Sequence, residues 1–215
     1  MLSKVLDRIE RDIVECKPQR AFVIGVNGVD TSGKTIFTTS LAEHFKERGR
    51  PVQMIGLDDF HHPRARREEG INPIGAYTAN AFDLKRLVAE LLAPARRGEH
   101  IRRTLKLLNI VTDEYSVRKT FTIDKETIVL LEGVLLFRPP LDEFFDYRIF
   151  LDIPFEEVLR RAARRDVPLY GAEFLEKYRQ KYIPVQQRYF RNHDPINKSD
   201  LIIDNTDFNR PEIRD

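Results

Sequence analysis

The residues with the most definite chemistry are Gly28-Val29-Asp30-Thr31-Ser32-Gly33-Lys34-Thr35. They fit the pattern G-x-x-x-x-G-K-[ST] without a mismatch. Glycines at either end of such a loop let backbone N–H groups turn inward on a polyphosphate, and a helix starting there adds a partial positive charge. Lys34 can reach the β/γ-phosphates as a point charge. The Thr35 hydroxyl can ligate Mg²⁺. The whole loop, Gly28, Val29, Asp30, Thr31, Ser32, Gly33, Lys34 and Thr35, is therefore expected to bind a nucleotide.

Two more places put acids at the ends of apolar runs. Asp58-Asp59 follow Val52 to Leu57, and Glu132 follows Thr127 to Leu131. If both runs are strands of one parallel sheet, their ends converge on the edge that carries the glycine loop. Phosphoryl transfer needs such a set: a phosphate cradle, a metal held by hydroxyl and carboxylate, a base for the acceptor hydroxyl, and cations for the developing charge. Asp58 is the candidate base, a role that contributes on the order of 10²–10⁴ in rate. Glu132 is the candidate metal carboxylate, directly or through water, beside Thr35. Asp59 can exchange roles with either, and one of the two aspartates can instead cap a turn.

Arg160, Arg161, Arg164 and Arg165 fall in pairs on adjacent faces of one helix. Alone they read as a solvated charged face. Beside a nucleotide they read as a mobile lid, whose arginine at the transferring phosphate is worth roughly 10³–10⁵ in rate. His61-His62 are adjacent and cannot easily face one ion, so they read as polar loop residues on the acceptor side. Asn197-Lys198-Ser199-Asp200 matches a guanine-reading N-K-x-D pattern but precedes a strand instead of following one, and reads as a coincidental loop.

The elements that must position these residues alternate in type. Leu2, Leu6, Ile9 and Ile13 share a helical face that covers the fold. Lys17-Pro18-Gln19-Arg20 breaks that helix before the strand Ala21–Val26, and Ile36 to Arg48 reads as the helix after the loop. Residues 61–80 lack apolar periodicity and read as a long polar loop of the functional kind. Asp83 opens a helix that Pro94 is expected to end, and 101–107 with 117–123 can form a strand pair. Tyr147 to Ile153 reads as another buried strand, residues 171–192 as a helix kinked or broken at Pro184, and Leu201 to Ile203 as a last short strand. This alternation is that of an α/β parallel sheet with ligands at the strand C-termini.

With 215 residues, the chain suits a single domain spanning 1–215, with 61–80 and 95–124 as an acceptor-side loop and a hairpin inserted into it. Its formal charge of +2 gives no reason to expect a nucleic acid partner. Its apolar runs are too short for a membrane span. A lone Cys16 excludes an internal disulfide, and the charged N-terminus lacks the apolar block of a secretion signal, so a cytoplasmic location is expected. The expected partner is a small-molecule acceptor, with a homo-oligomer left open.

Taken together, the residues resemble the uridine kinase / phosphoribulokinase group of P-loop kinases. The resemblance runs through Gly28 to Thr35, Leu57-Asp58-Asp59-Phe60-His61, Ala81-Phe82-Asp83, Leu131-Glu132-Gly133-Val134-Leu135, Arg160-Arg161 with Arg165-Asp166, and Ser199 to Ile203. It implies a P-loop NTPase fold with a five-stranded parallel sheet flanked by helices and a mobile arginine-bearing lid. It also implies ATP as donor, Mg²⁺, and a primary hydroxyl as acceptor, nominally that of uridine or cytidine. Carried over, Asp58 is the base, Glu132 the metal-linked carboxylate, Arg161 and Arg165 lid residues, and Asn205 a neighbour of the adenine. The departures lie on the acceptor side. Tyr77 stands where uridine kinases carry an acid, and Asn109 to Glu114 lacks their base-contacting tyrosine and histidine. The same fold serving pantothenate, a sugar phosphate, glycerate or another nucleoside therefore stays open, as does a nucleotide-dependent switch without an acceptor.

Overall fold

A computed structural model describes residues 1–14 and 19–214; Cys16 and the break at Lys17-Pro18 lie outside them. The strands β1 (Phe22–Gly28), β2 (Val52–Gly56), β5 (Ile128–Gly133), β6 (Tyr147–Asp152), β7 (Leu201–Asp204) and β8 (Glu212–Arg214) form one sheet in the order β2-β5-β1-β6-β7-β8. The first five run parallel, as the resemblance implies. A sixth strand is added: β8 turns back antiparallel on β7 with Ile213 opposite Ile203. Its three residues form too short a run for alternation to reveal them in the sequence.

The central strands are buried on both faces, which is why β1 and β5 read as continuous apolar runs. Their side chains divide by parity between two cores. Phe22, Ile24 and Val26 pack with Phe37, Leu41 and Phe45 of helix α2 (Lys34–Glu47) and with Val5, Ile9 and Ile13 of helix α1 (Leu2–Val14). On the opposite face, Val129 and Leu131 join Leu57, Leu87, Leu91, Phe121 and Phe137. Gly25 belongs to this face. A Cβ there would stand 2.7 Å from a ring atom of Phe145 and 2.8 Å from one of Phe137, so only glycine admits both rings.

The residues between β2 and β5 build the second flank. The expected polar loop 61–80 contains two short helices, Arg64–Arg67 and Pro73–Asn80, the latter capped by Asn72, whose side chain accepts from Gly75 N at 2.7 Å. The strand pair forms as β3 (Ile101–Asn109) against β4 (Glu114–Ile123), and Leu105, Leu107, Phe121 and Ile123 turn one face to the core. At the hairpin tip Asp113 accepts from Arg64 N at 2.8 and 3.0 Å and from Arg67 Nη2 at 3.3 Å. Loop and hairpin are thereby latched together.

Neither helix stops at its proline. The helix after Asp83, whose carboxylate accepts from Arg86 N at 3.0 Å, runs through a π-helical turn at Val88–Leu92 and on to Arg96. Phe174–Lys177 likewise runs through a π-helical turn, Tyr178–Tyr182, into Ile183–His193. Pro94 and Pro184 each come two residues after such a turn. There the widened i→i+5 turn removes the demand for the missing N–H and makes room for the ring. No helix among the described residues is long and apolar enough to cross a membrane.

Phe121 carries the hairpin's share of the core, fully buried with its ring 6.3 Å from that of Phe60. Phe121→Ala should cost about 3–5 kcal/mol, read as a Tm lowered by roughly 2–4 °C per kcal/mol. An unchanged melting curve would show that the hairpin is not part of the cooperative core.

Candidate active site

The loop from Gly28 to Thr35 turns tightly for steric reasons. Gly33 has φ +91°, and a Cβ on it would stand 2.5 Å from the Phe208 ring and 2.8 Å from Asn205 Nδ2. A Cβ on Gly28 would stand 2.6 Å from Ser32 Oγ and 2.7 Å from Leu151 O. Lys34 folds back over the loop, its Nζ donating to Val29 O at 2.7 Å. Ser32 Oγ is buried with no hydrogen-bond partner. A cradle too tight for side chains and lined by an unpaired hydroxyl suits a phosphate chain.

The loop opens on a cavity of about 930 Å³, large enough for a nucleotide. Asp30, Lys34, Thr35, Asp58 and Glu132 line it, together with Arg160, Arg164, Arg165 and Phe208. Parallel strands bring the acids here: β5 ends on Glu132, and the 3₁₀ turn Leu57–Phe60 after β2 carries Asp58 and Asp59. Gly133 keeps the two ends close, since a Cβ on it would stand 2.5 Å from that of Leu57.

Thr35 Oγ1 donates to Glu132 Oε1 at 3.1 Å. With Asp58 beside them they make an all-oxygen donor set, the chemistry a hard divalent cation such as Mg²⁺ takes. Loss of water pushes the Glu132 carboxyl above its ordinary range, aided by Asp58 and Asp59 and opposed by Lys34 and the Thr35 hydrogen bond. Burial likewise lowers the Lys34 ammonium against the pull of Asp30, Glu132 and Asp58. Charges so held gain from a bound cation and a bound anion respectively.

The adjacent aspartates part company. Asp58 stands out into the cavity with 79% of its side chain exposed. His61 Nδ1 lies 2.8 Å from its backbone oxygen. Asp59 turns to the hairpin and pairs with Lys119 Nζ at 2.5 Å.

The arginines part company too. Arg161 is buried and engaged: Nε on Glu157 Oε1 at 2.6 Å, Nη1 on Thr31 O at 3.0 Å, Nη2 on Asn205 O at 2.6 Å and on Thr206 O at 3.0 Å. The Phe208 ring lies 3.6 Å from its guanidinium carbon. Asn205 completes the strut, its Nδ2 donating to Ser32 O at 2.7 Å. Arg165, more than half exposed, grips Asp166 at 2.7 Å and reaches Tyr178 OH at 3.1 Å while facing the cavity. Burial raises the Asp166 carboxyl, but hydrogen bonds from Arg165 and Tyr178 outweigh it and bring it below the ordinary value.

Several of these residues escaped the reading of the sequence. Glu157, which holds both Arg160 and Arg161, was visible as an i, i+4 partner of Arg161. Phe208 and Lys119 carry no local signal, because each acts only across the fold. The Asn197–Asp200 stretch is structural: Asp200 Oδ2 accepts from Arg148 N at 2.7 Å at the start of β6.

Comparison with known proteins agrees with this geometry. The profile of the Phosphoribulokinase / Uridine kinase family matches residues 23–209. Human nicotinamide riboside kinase 1 is 28% identical over 148 residues, covering 68% of this chain and 66% of the human protein. The uridine kinase of Aliivibrio salmonicida is 26% identical over 202 residues, 89% of each chain. A solved structure described as a possible uridine kinase from Bacillus stearothermophilus superposes with a TM-score of 0.76 at 24% identity, covering 94% of this chain and 98% of that one. The match spans nearly the whole sheet and every strand end that carries an acid or the phosphate loop, so the chain belongs to the phosphoribulokinase / uridine kinase family of P-loop kinases.

Proposed function

We propose that the protein transfers the γ-phosphate of ATP to a primary hydroxyl of a small nucleoside-like molecule, nominally uridine or cytidine. The observation that carries this reading is the position of Asp58, an exposed carboxylate on the same cavity wall as Lys34 and Glu132. The uridine and nicotinamide riboside kinases among its relatives support a nucleoside as acceptor.

The residues divide the work by position. The backbone of Val29 to Gly33 cradles the phosphates, and Lys34 moves from Val29 O to the phosphate oxygens. Thr35 and Glu132 would hold Mg²⁺, which would neutralise charge on the phosphate oxygens. Asp58 takes the acceptor's hydroxyl proton. Arg165, with Arg160 and Arg164, lines the cavity and would meet the charge that develops there. Arg161 and Asn205 position the loop and the 205–208 segment against which the base lies. Asp59 anchors the hairpin through Lys119 and acts on Glu132 through its charge.

Another acceptor on the same catalytic half is the second reading, favoured by Tyr77 at a position where uridine kinases carry an acid. Mass spectrometry of products from an acceptor panel with ATP separates the two, and ATP hydrolysis with no phosphorylated product would instead indicate a switch protein. Lys34→Ala should abolish nearly all transfer while the melting temperature stays close to that of the wild type. Retained turnover would overturn the kinase reading. Asp58→Asn should keep the KM for ATP and lower kcat by at least about a hundredfold, the range for loss of a general base. Near-normal turnover there, with Asp59→Asn inactive, would transfer the role to Asp59.

A further inference from the structure

We propose that Asp30, though it lies inside the phosphate loop, serves the acceptor, and that with Asp58 it selects an uncharged or cationic polyhydroxy acceptor over an anionic one. This rests on the kinase reading above and names its substrate class. The other variable positions of the loop are committed to the nucleotide side or to the fold. Val29 is buried, the Thr31 hydroxyl lies 3.3 Å from Val158 O, and Ser32 is buried in the cradle. Asp30 faces outward beside Lys34, Asp58 and Arg165.

Asp30 also meets a second surface, made by the helix Ile183–His193 and the chain just before it. Gln186, 2% exposed, turns its amide toward this carboxylate and lowers its pKa, while its Nε2 stops short of a full hydrogen bond. Burial raises the Asp30 carboxyl and Asp58 raises it further; Lys34, Arg165 and Gln186 oppose them. The same charge acts on the hydroxyls of Tyr77 and Tyr182. Those two rings lie 5.7 Å apart, and Tyr77 lies 6.0 Å from Phe82, which lies 4.5 Å from His61. Asp30 thus stands where the phosphate loop meets an aromatic wall, and His61 joins that wall to Asp58.

A half-buried carboxylate with an amide donor turned toward it is half of a hydroxyl site. A hydroxyl can donate to Asp30 and accept from Gln186, which satisfies both. A carboxylate or phosphate on the acceptor would instead face two acids. An anionic acceptor would have to win cations already paired in the fold: Arg165 holds Asp166 and Arg67 holds Asp113, while Lys34 belongs to the phosphates. Lys181 lies outside, 5.4 Å from the centre of the Tyr77 ring, with Glu68 as its acidic neighbour.

The test uses the full chain and its Asp30→Ala and Asp30→Asn variants. Uridine, cytidine, ribose and nicotinamide riboside are compared with D-glycerate, pantothenate and ribulose 5-phosphate, by turnover with ATP and by calorimetric binding, and ADP binding is measured separately. The preferred acceptor should be neutral or cationic. Asp30→Ala should weaken it roughly ten- to a hundredfold, as loss of a hydrogen bond to a charged group does, a larger loss than that of ADP affinity, with partial recovery in Asp30→Asn. Preference for an anionic acceptor, or an acceptor affinity unmoved by Asp30→Ala, overturns the assignment. So does a loss of ADP affinity equal to the loss of acceptor affinity. If the neutral compounds bind and lose affinity in Asp30→Ala but yield no product, the assignment stands and the kinase reading fails.

Discussion

The constraint on which the rest depends is an ammonium group deprived of water and held among carboxylates. Burial works against the charge on Lys34, and Asp30, Glu132 and Asp58 sustain it together with the hydrogen bond to Val29 O. No two of those acids come from one element: the first lies in the loop after β1, the second at the end of β5, the third in the turn after β2. Local structure cannot assemble them. A parallel sheet with β1, β5 and β2 as neighbours does so because parallel strands end on one edge. Glycine at 25, 28 and 133 is the steric condition for that edge, since a methyl group at any of the three would meet heavy atoms at 2.5–2.7 Å. Sheet packing and active-site electrostatics are therefore one requirement here.

Arg161 shows a similar economy. Four hydrogen bonds fix a single guanidinium to a helix, the phosphate loop and the 205–206 backbone, and Phe208 covers its face. An arginine so committed cannot travel to a reacting phosphate without breaking the loop's support. Arg160 and Arg165 form ion pairs with acids of their own segment, Arg165 touching Tyr178 OH as well, and keep half or more of their side chains exposed. The sequence shows four arginines within six residues; burial separates a fixed strut from cations that can turn to a ligand.

What the sequence disclosed follows the reach of each signal. The phosphate loop, the buried strands and the acids at their ends are local patterns, and the structure places them on one edge. Asp58 and Asp59 are indistinguishable as neighbours in a chain. Their difference comes from Lys119, which belongs to a hairpin strand far away in sequence and draws one aspartate aside. Pro94 and Pro184 mislead for a local reason: proline normally ends a helix, and nothing in composition signals the π-helical turns that let the two helices continue. β8 is hidden because three residues cannot show a period.

The two halves of the site differ in how they are held, and this difference bears on specificity. The nucleotide half is built on strand ends within a continuous core. The acceptor half consists of the short helices at 64–67 and 73–80 and the hairpin, joined by side chains: Asp113 to Arg64 and Arg67, Asp59 to Lys119, Arg138 to Thr78 O at 2.8 Å. The polar latches can be exchanged more readily than strand ends, although the hairpin itself is anchored in the core through Phe121 and Ile123. A fold of this kind keeps one phosphoryl-transfer apparatus while the acceptor wall changes. Asp30 lies where the two halves meet. It is fixed by the loop that cradles phosphate and faces the cavity beside Asp58, so the proposed acceptor contact and the support of Lys34 meet in one carboxylate.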